Sequence, residues 1–196
     1  AEQGVHVSTR ELAKRIGVTQ ALLYRFFASK EAILEAVIEH SLAGRWNDRW
    51  VAILADTDLS AEQRLGDFYS DYVLSMSPES MRLFMRLNLD GHPHARRFAV
   101  PLTQRLLVPV TAVLRHAASL PDFMARPMMH GERELAMVLH GGLMFLAIRK
   151  NIYGMPMTVD LDELIRLQVR TFLPGALVEL ERLHRNTDEP EIPNRD

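Results

Sequence analysis

The sequence contains no cysteine. That excludes a disulfide framework, thiolate chemistry and any metal site built on cysteine. It also lacks an uninterrupted apolar run of the ~18 residues that a membrane-spanning helix calls for, and no signal peptide is visible at its start. No stretch alternates apolar and polar residues as a half-buried strand does, and no internal repeat or low-complexity block stands out. Net charge is only −2 at pH 7 over 196 residues, which argues against a protein that coats nucleic acid through bulk positive charge. What remains is an all-α chain, 47% apolar, with material for a sizeable core. Its length allows one large domain, or a small domain and a larger one. The expectation is a cytoplasmic protein with no membrane partner.

Catalytic and metal-binding possibilities thin out as quickly. His140-Gly141-Gly142 looks like an oxyanion-hole element, but it lies mid-helix and has no G-x-S-x-G elbow to serve. Asp90, His92 and His94 carry metal-ligating chemistry, yet alternate polar residues in a Pro-Gly loop are as a rule solvated. No nucleophile, base and oxyanion donors assemble anywhere. No enzyme activity, cofactor or metal is expected.

What is present is concentrated in Val7 to Lys30, VSTRELAKRIGVTQALLYRFFASK. Ser8 is a good N-cap, Glu11 follows at capping-box distance, and Val7 and Leu12 occupy the staple positions. Leu12, Ala13 and Ile16 form the buried stripe of a first helix. Gly17 ends it, because a residue without Cβ tolerates a left-handed turn. Thr19 caps a second helix. The result is helix, tight turn, helix. On the second helix, at about 100° per residue, Leu23, Phe26 and Phe27 point inward. Ala21 and Arg25 lie nearly opposite, with Tyr24 beside them, behind an N-terminus bearing Thr19 and Gln20. That end suits a major groove, where Arg pairs with guanine and Gln with adenine. Thr9, Tyr24 and Lys30 are expected on phosphates, setting register. Charge agrees. Residues 1–30 hold five basic against two acidic residues, a net of +3, and the remainder holds 18 basic against 23 acidic, a net of −5.

This run resembles the DNA-binding segment of TetR-type transcriptional regulators. The matching features are Thr9, Leu12-Ala13, Gly17-Val18-Thr19, Leu23-Tyr24, Phe27 and Ser29-Lys30-Glu31 followed by Leu34. The resemblance is sharp over residues 7–40 and only architectural beyond. The family carries a further helix before this motif. AEQGVH reads as its trailing end and exit turn, so the expectation is a truncated or partly observed protein, in which Leu22 and Phe26 lose a packing partner if that first helix is absent.

From Ser29 one helix is expected to run to Leu54, linking the DNA-binding module to a second domain. Helices follow from Ser60 and from Ser77-Pro78. A helix over about 95–119 should be kinked or split by Pro101 and Pro109. Two long apolar helices come last, about 131–151 and 160–184, the second bent at Pro174-Gly175. The expected domains are 1–46 (helix-turn-helix), 47–185 (effector binding and dimerisation) and 186–196 (flexible tail).

The last two helices carry more apolar surface than one buried face requires. An isologous homodimer is therefore expected, through Leu135, Val138, Leu139, Gly142, Leu143 and Leu146 on one helix and Ile165, Val169, Phe172, Leu173, Leu177 and Leu180 on the other. Gly141-Gly142 would permit close approach there. The family resemblance implies the same interface. The middle helices are rich in Phe, Tyr, Met and Leu, the composition of an apolar pocket. Phe68, Tyr69, Tyr72, Met76, Phe84, Leu106, Val110, Leu114, Met137 and Met144 are its expected lining, and the resemblance implies a small-molecule effector. The reading is a homodimeric, ligand-responsive regulator, a repressor, that binds a near-palindromic double-stranded DNA operator. The alternative is a small-molecule-binding helical dimer without a DNA role.

Overall fold

Short polar residues with extended backbone start most of the helices, and glycines in the left-handed region close several of the turns. The computed structural model describes residues 7–40 and 46–186, with only the backbone described at 93–103 and 186. Nine α-helices appear among them: α1 Thr9–Arg15, α2 Gln20–Phe26, α3 Lys30–Ile38, α4 Asp48–Ala55, α5 Ala61–Leu74, α6 Pro78–Leu89, α7 Pro93–Ala117, α8 His130–Ile148 and α9 Leu161–Asn186. Among the described residues there is no strand, so the fold is all-α. Ser60 and Gln63 form a full capping box at the start of α5, and Ser77 caps α6 with Pro78 in its first turn. The chain divides into two units: residues 1–46 with 77–102, and residues 47–76 with 103–196.

In the first unit, Ile38 and Leu87 are fully buried against each other, flanked by Leu34 and Leu83. Leu23 is buried and Phe27 half-buried, but Phe26 is 73% exposed. The expected inward Phe26 is thus corrected. It lies about 60° around α2 from Leu23, off the edge of the buried stripe.

The single helix expected from Ser29 to Leu54 is also corrected. Asn47 has extended backbone and caps α4 by accepting from Arg49 N–H at 3.0 Å, so Trp46 and Trp50 do not share a helix. The expected split of the next long helix fails in the other direction. α7 runs unbroken from Pro93 to Ala117, because each internal proline removes one donor and the neighbouring turns carry the helix past it. The side chain of His94 and the tail at 187–196 lie outside the described residues.

The core of the second unit joins α4, α5, α7, α8 and α9. Trp50 of α4 packs edge-on against Phe68 and Tyr72 of α5, and its indole N–H donates to Asp71 at 2.8 Å. Arg64 donates from Nε and Nη2 to the Leu54 carbonyl, closing the α4 C-terminus. Arg166 of α9 pairs with Asp67 of α5 and with Asp162, each at 2.9 Å. Gly142 lets α8 approach α9 of its own chain, since a Cβ there would overlap the Gln168 amide. Gly142 is thus used within the chain, while nothing lies within 4 Å of a Cβ built at Gly141. Residues 130–153 are long and apolar enough to cross a membrane by length and composition. Here that helix buries Ala136, Leu139, Leu143 and Ala147 in the protein core.

The most demanding feature of this core is ionic. Glu132, fully buried, takes Arg115 through Nε and Nη2, both at 2.6 Å. It also accepts from His184 Nε2 at 2.9 Å and from the Met129 amide at 2.7 Å. The remaining Arg115 N–H groups donate to the carbonyls of Pro121, Arg126 and Pro127, with Phe123 stacked against the guanidinium. Burial opposes ionisation of Glu132, but the bonds from Arg115, His184 and Met129 outweigh it and hold its carboxyl below the ordinary range. A depressed carboxyl adds stability that is present above its unfolded value, about 4.3, and lost as pH falls through the folded one. Glu132→Gln leaves the Arg115 charge buried without a counter-ion, and we expect it to cost about 3–5 kcal/mol at pH 7. The gap between wild type and variant in urea unfolding should narrow once the pH drops below about 4. A variant as stable as wild type at pH 7 would show that the network contributes nothing.

Candidate nucleic-acid interface

The turn between α1 and α2 is set by backbone chemistry. Gly17 has φ +73°. Val18 N–H donates to the Ala13 carbonyl at 3.0 Å and Gly17 N–H to the Lys14 carbonyl at 3.3 Å. These are the paired bonds of a Schellman ending, which needs a residue comfortable at positive φ. Two residues later Thr19, in extended backbone, starts α2, and its Oγ1 accepts from Leu22 N–H at 3.1 Å. Ser8 does the same for Glu11 N–H at the head of α1, and Ser29 for Ala32 N–H at the head of α3. Buried Ala13 and Leu23 hold the two helices together.

This places the expected base-reading residues in the open. Thr19, Gln20, Ala21 and Arg25 are all exposed. Tyr24 is exposed beside them, and Lys30 is half-buried as the first residue of α3. A helix N-terminus adds its own partial positive charge for phosphate. Arg15 is held by Glu11 at 3.1 Å on the surface of α1.

Thr9 departs from its expected role. It is 8% exposed, which leaves little of it open to a phosphate. Its Oγ1 accepts from Gln20 Nε2 at 2.8 Å and lies 3.2 Å from the Tyr24 hydroxyl. One buried hydroxyl on α1 therefore tethers two exposed side chains on α2. The Gln20 amide keeps its oxygen and a second N–H for other partners, which is the pair needed to meet adenine N6 and N7. Sequence spacing places Gln20 and Tyr24 one turn apart, but only the crossing of α1 over α2 brings Thr9 between them.

The other two expected sites change more. Of the expected dimer residues, Leu139, Leu143, Leu146, Ile165, Val169 and Leu180 are buried in the chain's own core, and that surface is not available to a partner. Leu135, Gly142, Phe172, Leu173 and Leu177 are half-buried, and Val138 is 63% exposed. Of the expected pocket residues, Phe68, Tyr69, Tyr72, Leu106, Val110 and Leu114 are buried in the second unit, with Met76 and Met144 half-buried. Met137 is corrected to the exposed side of α8. Phe84 sits on α6, in the first unit.

An exposed helix N-terminus, presented by a capped tight turn, braced from the preceding helix and followed by Arg25 in its last turn, has the form of a helix-turn-helix DNA-binding segment. Residues 1–37 match the family model described as bacterial regulatory proteins, tetR family, so the helix-turn-helix segment is of the tetR-family type. The nucleoid occlusion factor SlmA of Haemophilus influenzae (strain PittGG) is 49% identical over 41 residues, 20% of this chain and 19% of that protein. SlmA of Marinobacter nauticus is 49% identical over 39 residues, 20% of each chain. The match thus spans about a fifth of the length of these curated relatives.

If Thr9 positions rather than contacts, Thr9→Val should weaken binding of a selected operator about 5- to 10-fold, the scale of one or two lost hydrogen bonds, and Thr9→Ser should restore it. The salt dependence should not change, because no phosphate contact is removed. A shallower salt slope in Thr9→Val would make Thr9 a phosphate ligand after all.

Proposed function

We propose that this TetR-family regulator acts in the cytoplasm as a homodimeric repressor that a small effector releases from a near-palindromic operator. The observation that carries the reading is the exposed start of α2, with Gln20 and Tyr24 braced by Thr9 beside exposed Arg25. Thr19, Gln20, Ala21 and Arg25 read base edges, and Tyr24 and Lys30 hold phosphates. Identity to SlmA proteins lies within this one segment, so it supports contact with DNA and not a nucleoid-occlusion role.

Dimerisation draws support from what the core leaves uncovered. α8 exposes Val138, Gly141 and Phe145, and α9 exposes Leu167, Thr171 and Val178. Both stripes have helical spacing. A self-complementary pairing through them would hold two reading heads on half-sites about 34–36 Å apart. The proposed interface is therefore this outer stripe, flanked by half-buried Leu135, Phe172, Leu173 and Leu177. The proposed effector site is the aromatic core of the second unit. An effector releases DNA only if it binds a non-reading conformer better than the reading one.

Selection of the full-length protein against random duplex DNA should enrich an inverted repeat bound with steep salt dependence. With that operator, Arg25→Ala should relax base preference at about 1–3 kcal/mol, while Lys30→Ala should weaken all sequences and reduce the salt slope by about 1. Failure of a folded protein to enrich any sequence would remove DNA binding from the reading. Val138→Asp combined with Val178→Asp should yield a folded monomer in sedimentation. A dimer that survives both changes would place the interface elsewhere.

A further inference from the structure

Five rings gather where α4, α5 and α8 meet. Phe68 and Tyr69 lie 4.7 Å apart, Phe68 and Tyr72 5.6 Å, and Trp50 and Tyr72 5.1 Å. The fifth ring is His140, 6.1 Å from both Tyr69 and Tyr72. Two polar atoms in this cluster are buried and have no hydrogen-bond partner among the described residues: Tyr69 Oη and His140 Nδ1. Natural cores rarely leave such atoms unpaired, since each forgoes its bond to water with nothing in return. Phenylalanine and leucine would fill the same space without that cost. The two unpaired groups stand on α5 and α8, two helices in contact with each other.

Both groups are neutral. Burial pushes the Tyr69 phenol well above its ordinary range and draws the His140 imidazole down to about 4. A desolvated carboxylate or ammonium requires a charged partner, which neutral tyrosine and histidine do not supply. A hydroxyl can accept from one and donate to the other, and a carbonyl oxygen can accept from both, because the histidine tautomer adapts.

We propose that Tyr69 and His140 form the polar end of the effector site and select a small, uncharged molecule that carries one hydroxyl or carbonyl group on an apolar, ring-sized body. This rests on the effector reading above and adds its chemical class. The body lies against the Trp50, Phe68 and Tyr72 rings, and the polar group bridges α5 to α8. A ligand held this way spans two helices of the second unit, which is what gives it leverage on their packing.

Binding of phenol, toluene and benzoate to the full chain, measured by calorimetry, tests the class. Phenol should bind about 10-fold more tightly than toluene, the scale of one to two neutral hydrogen bonds, and benzoate should be the weakest. Tyr69→Phe, which removes a single atom, should lower phenol affinity about 5-fold and leave toluene within about 2-fold. His140→Leu should do the same from the other helix. Equal affinities for phenol and toluene, or a phenol preference that survives both substitutions, would overturn the assignment and leave an apolar effector site standing. If neither phenol nor toluene binds the wild-type chain, both the polar assignment and the effector site fall.

Discussion

The second unit is organised around one buried carboxylate. Glu132 sits at the start of α8 and gathers the last turns of α7 through Arg115 and the end of α9 through His184. The connector between α7 and α8 is tied in as well, because Arg115 also collects the carbonyls of Pro121, Arg126 and Pro127. Both carboxylate oxygens accept two bonds each. That satisfaction is what makes the burial tolerable, since an unpaired ion in the interior costs several kcal/mol. His184 donates from Nε2 to Glu132 while its Nδ1 faces Arg126 at 3.1 Å. The interlock sets the ends of α7, α8 and α9 relative to one another, and the rings of α4 and α5 pack on the bundle so defined.

The reading head relies on weaker, more local devices. A glycine at positive φ, two hydroxyl caps and a pair of small or aliphatic contacts suffice to fix α1 against α2. Such a turn costs little to form because almost every bond in it is between residues close in sequence. The single longer-range feature is Thr9, which converts two exposed and otherwise mobile side chains into a braced pair. Bracing of this kind lowers the side-chain entropy lost on binding. The head carries the chain's excess of basic residues, and the rest of the chain is acidic, so attraction to DNA is directed to one place.

The same separation applies to the two proposed recognition functions. DNA is met by exposed polar groups whose partners are solvent until an operator arrives. The effector, on the reading advanced above, is met by buried polar groups that have no solvent to fall back on. Water leaves the first kind satisfied and the second kind unpaired.

Much of this was legible before any coordinates. Ser8, Thr19, Ser29, Ser60 and Ser77 announce helix starts through a hydroxyl that accepts a backbone N–H, and Gly17 announces the turn through its missing Cβ. Both are properties of a few consecutive residues, which is why the helix-turn-helix and the exposed side of α2 that bears Gln20, Ala21 and Arg25 could be read directly. Periodicity could not say which apolar face meets which neighbour. Leu139, Leu143, Ile165 and Val169 match a dimer seam in spacing but are spent inside the chain, and Phe26 matches an inward position but lies open. The break at Asn47 and the unbroken α7 depended on whether neighbouring turns could carry the backbone through, which spacing does not record. The brace at Thr9, the four-bond closure of Glu132 and the unpaired atoms of Tyr69 and His140 belong to tertiary structure alone. Each depends on atoms from helices distant in sequence arriving within about 3 Å of one another, or failing to. The sequence by itself determined the all-α class, most of the helix starts with their caps, and the helix-turn-helix, because those are local. Only the packing of the helices decided which polar groups are braced, which are satisfied and which are left unpaired.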